Sequence, residues 1–465
     1  MDLDIRKIAS IVEGHISPAG SQVSITGIST DSRTIQTGEL FVPLRGANFD
    51  GHDFLIRAYR RGAAACLSEE TIAGFPIPVI QVENTLTALG DLAAAIRQSL
   101  TVPVVAVTGS AGKTTTKEML ASILAQTGPG LKTEGNFNNL IGLPLTLFRW
   151  RPEHAWVVLE MGMSLRGEIA RLAEIAAPQV GIITNIGPAH LEGLGSIDGV
   201  ARAKGELFAA LPSGGVAVIN ADDERVARLP VANGVRRLLF GLQNPAEVTA
   251  SDVKSTVDTL SLRLELPDGA WPVTIKVGGR QNVMNALAAA AAAVALEVPS
   301  EQIVRGLEQF IPYRGRMEVF KLAAGIVLID DTYNANPLSM HASLQYLAEA
   351  AGEGRRIAVL GDMLELGEDA AEWHRKVGAA AATYADMLVV IGSLAEETAA
   401  GAQAAGMPLE RIEVLSSKKA VVDRLLSCLQ PHDRILVKGS RGMQMEKICQ
   451  EIREAQLPCL AAGNC

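Results

Sequence analysis

Val104-Val-Ala-Val-Thr-Gly109-Ser-Ala-Gly112-Lys113-Thr-Thr-Thr-Lys-Glu-Met119 is the stretch whose reading decides the fold. A β-branched apolar run ends in a turn bracketed by glycines, and a lysine, hydroxyl residues and a helical pattern follow. Strand, glycine turn and helix in that order is the setting in which a phosphate-binding loop works. Gly109 and Gly112 let the backbone bend, so that amides around Ser110 and Ala111 can point at one phosphate while the helix adds its positive N-terminus. Lys113 supplies a point charge for terminal phosphates and Thr114 a hydroxyl for Mg²⁺, with Thr115 beside it in the nucleotide-binding set. The spacing is not the strict G-x-x-x-x-G-K-[ST] form, because Val107 stands where the first glycine belongs.

Outward from the loop, strand and helix patterns alternate. Trp156–Glu160, Val180–Thr184 and Gly215–Asn220 read as strands, and the segments near Gly167–Ala176 and Ile197–Ala210 as helices. Strands joined by helical crossovers imply a mainly parallel sheet covered on both faces. After Arg236 the pattern changes. Leu262, Leu264 and Leu266 alternate with polar residues, Pro267-Asp-Gly269 turns, and Val273, Ile275 and Val277 alternate again, which predicts an antiparallel hairpin flanking the parallel sheet.

Beyond Pro312-Tyr-Arg-Gly-Arg316, strands at Val327–Asp331, Ile357–Leu360, Met387–Ile391 and Ile435–Lys438 are separated by helical segments. That predicts a doubly wound, Rossmann-like α/β domain. Before Pro103, short strands and helices alternate around Asp31-Ser32-Arg33 and the loop holding Asn48, predicting a small α/β domain. The chain of 465 residues therefore divides into an α/β N-terminal domain (1–100), a central phosphate-loop domain (101–312) and a C-terminal domain (313–465).

Composition excludes some classes. A net charge of −9 with no compensating basic stretch argues against nucleic acid as a partner. Val283–Leu296 is too short to span a bilayer and contains Asn285, so no membrane insertion is expected. Five scattered cysteines without metal-ligand spacing read as free thiols of a cytoplasmic protein.

In open α/β sheets ligands bind beyond the carboxyl ends of the strands. Glu160 ends a strand next to the phosphate loop and suits Mg²⁺. His190, in Asn185-Ile-Gly-Pro-Ala-His190, is a candidate ligand at the next strand end. Lys204, on a helix, reads from the residues alone as a solvated surface lysine. Asn136-Phe-Asn-Asn139 forms a polar loop able to meet a substrate or merely cap a turn. In Asp330-Asp331-Thr-Tyr-Asn334-Ala-Asn336, a strand-end acid can bond a ribose hydroxyl. Arg316, just upstream, can reach a γ-phosphate in cis. With these groups on different domains, catalysis would need the domains to close over the nucleotide.

Together these motifs resemble the Mur ligase family of ATP-dependent amide-bond-forming enzymes. The matching pieces are Thr108-Gly-Ser-Ala-Gly-Lys-Thr-Thr115, Glu160-Met-Gly, Asn185 to Glu192, Ala203-Lys204-Gly-Glu, Gln281-Asn282-Val-Met-Asn285 and Asp331-Thr-Tyr-Asn-Ala-Asn336-Pro. The shortened glycine loop is that family's own form. Gly361-Asp-Met-Leu-Glu-Leu-Gly367 and Lys438-Gly-Ser-Arg-Gly-Met-Gln-Met-Glu446 are most similar to members that attach D-alanyl-D-alanine to UDP-N-acetylmuramoyl-tripeptide.

The resemblance implies ATP held by Lys113 and the loop amides. It implies two Mg²⁺ ions served by Thr114, Glu160 and His190, and by Lys204 carrying a carbamate. Asn282 and Asn285 would lie by the adenine, and Arg316 and Asp331 would act on phosphate and ribose. Asp31, Ser32, Arg33, Asn48, Asn136, Asn139, Asn334 and Asn336 are the substrate candidates. A monomer is expected. The rival readings are another amide ligase on this scaffold, such as a folylpolyglutamate synthase-like enzyme, and a nucleotide-switched assembly protein.

Overall fold

A computed structural model describes residues 3–18, 21–46, 49–349 and 352–461. Val104–Thr108 sits inside a six-stranded parallel sheet whose order is Arg236–Phe240, Val216–Asn220, Val180–Ile183, Val104–Thr108, Val157–Glu160, Leu131–Lys132. The inner strands are buried along their whole length, which is why they read as unbroken apolar runs. One face is covered by the phosphate-loop helix Lys113–Leu124 and by Gln281–Ala295. The other is covered by Glu168–Ala176 and Ile197–Ala209. In Gln281–Ala295 every residue from Ala286 to Ala293 is buried, and the small side chains let it lie close against the phosphate-loop helix.

One expectation needs correction. The change of pattern does not begin at Arg236, because Arg236–Phe240 is still the edge strand of the parallel sheet. The expected flanking hairpin is Leu260–Leu266 and Gly269–Ile275, beside the edge strand that bridges to Val248 through Phe240. It joins Thr249–Ser255 in a separate three-stranded antiparallel sheet, whose leucines pack on the helices Gln281–Ala295 and Ser300–Glu308. Polar Thr249–Ser255 was missed because a half-exposed edge strand carries little apolar alternation.

The N-terminal domain has a mixed five-stranded sheet and a separate two-stranded pair, Leu3–Asp4 with Ser24–Ile25. Its helix Thr85–Gln98 rests on the central domain. There the buried Arg97 guanidinium donates to the carbonyls of Ala176 (2.6 Å) and Ala177 (2.8 Å). The C-terminal sheet runs Glu318–Lys321, Val327–Asp330, Arg434–Lys438, Arg356–Gly361, Met387–Ile391, Ile412–Leu415. Its first strand is antiparallel and the rest are parallel, with apolar clusters on both faces. The doubly wound expectation is met, with an antiparallel edge added. Among the described residues no helix is long and apolar enough to cross a membrane.

Candidate functional site

The phosphate loop is shaped by two contacts that only glycine permits. Gly109 has φ +153°, and a Cβ there would lie 1.8 Å from Thr184 Oγ1. Gly112 has φ +82°, and its Cβ would lie 2.2 Å from Asn285 Oδ1. The end of Val180–Ile183 braces the loop. Asn185 Oδ1 accepts from the Ala111 amide at 2.8 Å, Thr184 Oγ1 donates to the Ala111 carbonyl at 2.6 Å, and Ser110 Oγ donates to the Gly187 carbonyl at 2.9 Å. Lys113 folds back to donate to the Gly109 carbonyl at 2.8 Å, and burial lowers its pKa.

Glu160 lies opposite Val107 in the strand register, so its carboxylate comes to the edge of the loop. Its side chain is buried. Oε1 accepts from Asn138 Nδ2 at 2.9 Å, whereas Oε2 has no hydrogen-bond partner. An unpaired buried carboxylate oxygen costs about 1–3 kcal/mol, and a cation bound there would offset that. Thr114, which follows Lys113 at the start of the phosphate-loop helix, is also buried. The donor chemistry at Glu160 thus fits Mg²⁺.

Lys204 corrects the surface reading. It is buried and makes no ion pair with an acid among the described residues, and burial, with Lys113 as a lesser cause, holds its pKa well below the ordinary lysine value. Helical spacing alone could not show this, because it depends on which face of Ile197–Ala209 meets the sheet. His190 is the residue preceding the short helix Leu191–Leu194 and has φ +53°. Its Nδ1 bonds Glu365, which comes from the C-terminal domain. Among the described residues no three His, Cys, Asp or Glu side chains gather as a metal cluster.

The C-terminal domain closes over the loop. Arg316 Nη2 donates to Thr114 Oγ1 at 3.2 Å and its guanidinium carbon lies 4.1 Å from the Tyr333 ring centre. Asn336 Nδ2 donates to the Ser110 carbonyl at 2.9 Å. Between the two domains lies a cavity of about 280 Å³. Gly112, Lys113, Thr115, Asn282, Asn285, Arg316 and Asp331 are among the residues lining it. Asn282 and Asn285 are joined at 2.9 Å. Asp331 accepts from Ser343 Oγ at 2.7 Å and pairs with the buried ammonium of Lys438. A smaller recess of about 160 Å³ adjoins Lys113 and His190 on the side of Glu365 and Arg441.

The substrate candidates fare less evenly. Asp31 and Arg33 form an exposed ion pair with each other at 2.8 Å, which holds the Asp31 carboxyl below its usual pKa, and Ser32 is buried between them. Asn139 Oδ1 bonds the Gly142 amide at 2.9 Å, the turn-capping alternative, and Asn136 is exposed. Asn336 holds the phosphate loop, and Asn334 Oδ1 accepts from the Ala335 amide beside it. Asn48 lies outside the described residues. Sequence reasoning missed Lys117, Asn138, Lys438 and Glu365. Lys117 carried a signal in standing one helical turn after Lys113 and so on the same face, and Asn138, Glu365 and Lys438 stand inside stretches quoted above without having been singled out.

Three family profiles match the chain: "Mur ligase family, catalytic domain" over residues 24–97, "Mur ligase middle domain" over 107–293 and "Mur ligase, glutamate ligase domain" over 315–441. The UDP-N-acetylmuramoyl-tripeptide–D-alanyl-D-alanine ligase of Escherichia coli K12 is 38% identical, covering 98% of this chain and 99% of its own. A MurF crystal structure from Acinetobacter baumannii superposes with TM-score 0.91 at 34% identity, over 98% of this chain and 99% of that one. The MurF ligase of Thermotoga maritima in complex with ADP gives 0.82 at 28% identity, over 93% and 98%.

Proposed function

The chain belongs to the Mur ligase family, and from that premise we infer the reaction and the residues that carry it. The protein is an ATP-dependent, ADP-forming ligase that joins D-alanyl-D-alanine to UDP-N-acetylmuramoyl-tripeptide, a step of peptidoglycan precursor synthesis. The observation that carries the mechanism is the closed arrangement of the phosphate loop and Arg316 around one interdomain cavity, with Glu160 at the edge of the loop. A carboxylate oxygen is a poor leaving group, so the tripeptide's terminal carboxylate is first phosphorylated by ATP, and the dipeptide amine then displaces phosphate.

Lys113 and the loop amides hold the phosphates, and Arg316 meets the transferred phosphoryl group from the C-terminal side. Asn282 and Asn285 border the adenine, and Asp331, oriented by Ser343 and Lys438, takes the ribose. Mg²⁺ would be held by Thr114, Glu160 and His190, with a carbamate on Lys204 supporting a second ion, and would neutralise charge on the phosphates. A neutral buried amine with no acid beside it is the form that adds carbon dioxide, and this supports the Lys204 assignment. Asp31 to Arg33 belong to a UDP-binding N-terminal domain, residues 1–100, with 101–312 and 313–465 as the other two units. The enzyme works in the cytoplasm as a monomer. Sustained ADP formation over many turnovers should require both UDP-tripeptide and D-alanyl-D-alanine. ADP formation with the UDP-tripeptide and a single amino acid, but not with the dipeptide, would place the chain with another ligase of the scaffold.

A further inference from the structure

Beside Glu160 lies a fully buried lysine that phosphate binding does not use. Lys117 follows Lys113 by one turn of the same helix, and its side chain is 0% exposed. Its ammonium donates to the Thr133 carbonyl at 2.6 Å and pairs with Glu118 Oε1 at 2.9 Å. Glu118 pairs in turn with Lys132. The Tyr313 ring centre, 5.6 Å from the ammonium, flanks it from the linker that carries Arg316. Glu160 Oε2 is 4.0 Å from the ammonium, beyond hydrogen-bond reach, and it is the carboxylate oxygen with no partner. Two carboxylates and two ammoniums thus balance in charge, yet one oxygen is left open.

A buried lysine is costly, and an apolar side chain would fill the same volume without desolvating a charge. The arrangement makes sense if the ammonium must be near Glu160 but must not cover it. We propose that Lys117 is a positioning residue for the cation site: it balances the charge of Glu160 while Glu118 and the Thr133 carbonyl hold it short of Oε2, leaving that oxygen free for a divalent cation. Glu118 is the restraint, and Thr133 works on both partners, because its Oγ1 also accepts from the Glu160 amide at 2.9 Å. The inference rests on the assignment of Glu160 as a cation ligand.

Mn²⁺ titrated into the ADP-bound protein and followed by electron paramagnetic resonance tests it, with ADP affinity in EDTA as the control for an intact loop. Glu118→Gln keeps the shape but releases the ammonium toward Oε2, and Mn²⁺ affinity should fall about tenfold, in the range typical for groups that orient a metal ligand. Adding Lys117→Met to Glu118→Gln removes the ammonium that closes the site, so affinity should return toward the parent value. A structural role alone would give a double variant no better than the single one, and that result overturns the proposal. Unchanged affinity in Glu118→Gln also overturns it, an arm that stands even if the double variant does not fold. Glu160→Gln separates the two levels. If it leaves Mn²⁺ affinity intact, the ligand assignment of Glu160 fails. If it abolishes binding while Glu118→Gln does nothing, only the role of Lys117 fails.

Discussion

Lys204 carries an amine into an interior where no acid among the described residues pairs with it, and Lys113 repels it. The unfolded chain protonates this amine up to the ordinary lysine value, while the folded chain keeps it neutral over the interval below that value. The unfolded state then binds more protons, so the penalty is absent above the ordinary value and grows as pH falls toward the lowered folded one. In bicarbonate-free buffer, stability should therefore rise with pH through that interval. Lys204→Met should flatten the rise and increase the melting temperature at neutral pH while abolishing ligation; a melting curve that keeps the same pH slope would contradict this. The sequence showed Lys113, Glu160 and Arg316 because each stands at a strand end, the loop or a domain boundary. Lys204 was illegible without the family, since burial of one helix face is decided by the sheet it meets. Asn139 was open to two readings, as turn capping and substrate binding draw on the same residue type, and its Oδ1 caps a turn.

The helix Gln281–Ala295 presses its alanines against Lys113–Leu124 and so sets where Asn282 and Asn285 stand over Gly112. The contact leaves no room for larger side chains. Ala290→Leu should cost about 1–3 kcal/mol by overpacking, read as a lower denaturation midpoint with an unchanged m-value. ADP affinity should fall with it if the asparagines are displaced. Elements buried on both faces were plain in the sequence, as continuous β-branched runs. Leu131–Lys132, Thr249–Ser255 and Ile412–Leu415 were not, because short or half-exposed edge strands owe their pairing to the neighbouring strand more than to their own pattern.

At the scale of the whole molecule, two polar bridges tie the C-terminal domain to the phosphate loop: Arg316 to Thr114 and Asn336 to Ser110. A third contact joins Glu365 to His190. The described chain is thus in a closed arrangement, as an enzyme that must keep water from an acyl phosphate requires. Arg316→Ala should lower kcat about 10²–10³-fold, the usual cost of removing one donor to developing charge, while the KM for ATP changes much less. Equal losses in ATP affinity and turnover would instead make Arg316 a ground-state binding residue. The order of domains was legible from alternating elements, but which loops meet across them was not, since Glu365 and His190 lie 175 residues apart. The account stands on ATP passing its γ-phosphoryl group to the tripeptide carboxylate inside this closed site. UDP-N-acetylmuramoyl-tripeptide labelled with ¹⁸O in its terminal carboxylate, incubated with ATP, Mg²⁺ and D-alanyl-D-alanine, tests that directly. The account predicts one ¹⁸O in each phosphate released, in step with amide formation. Unlabelled phosphate alongside ligated product would contradict it.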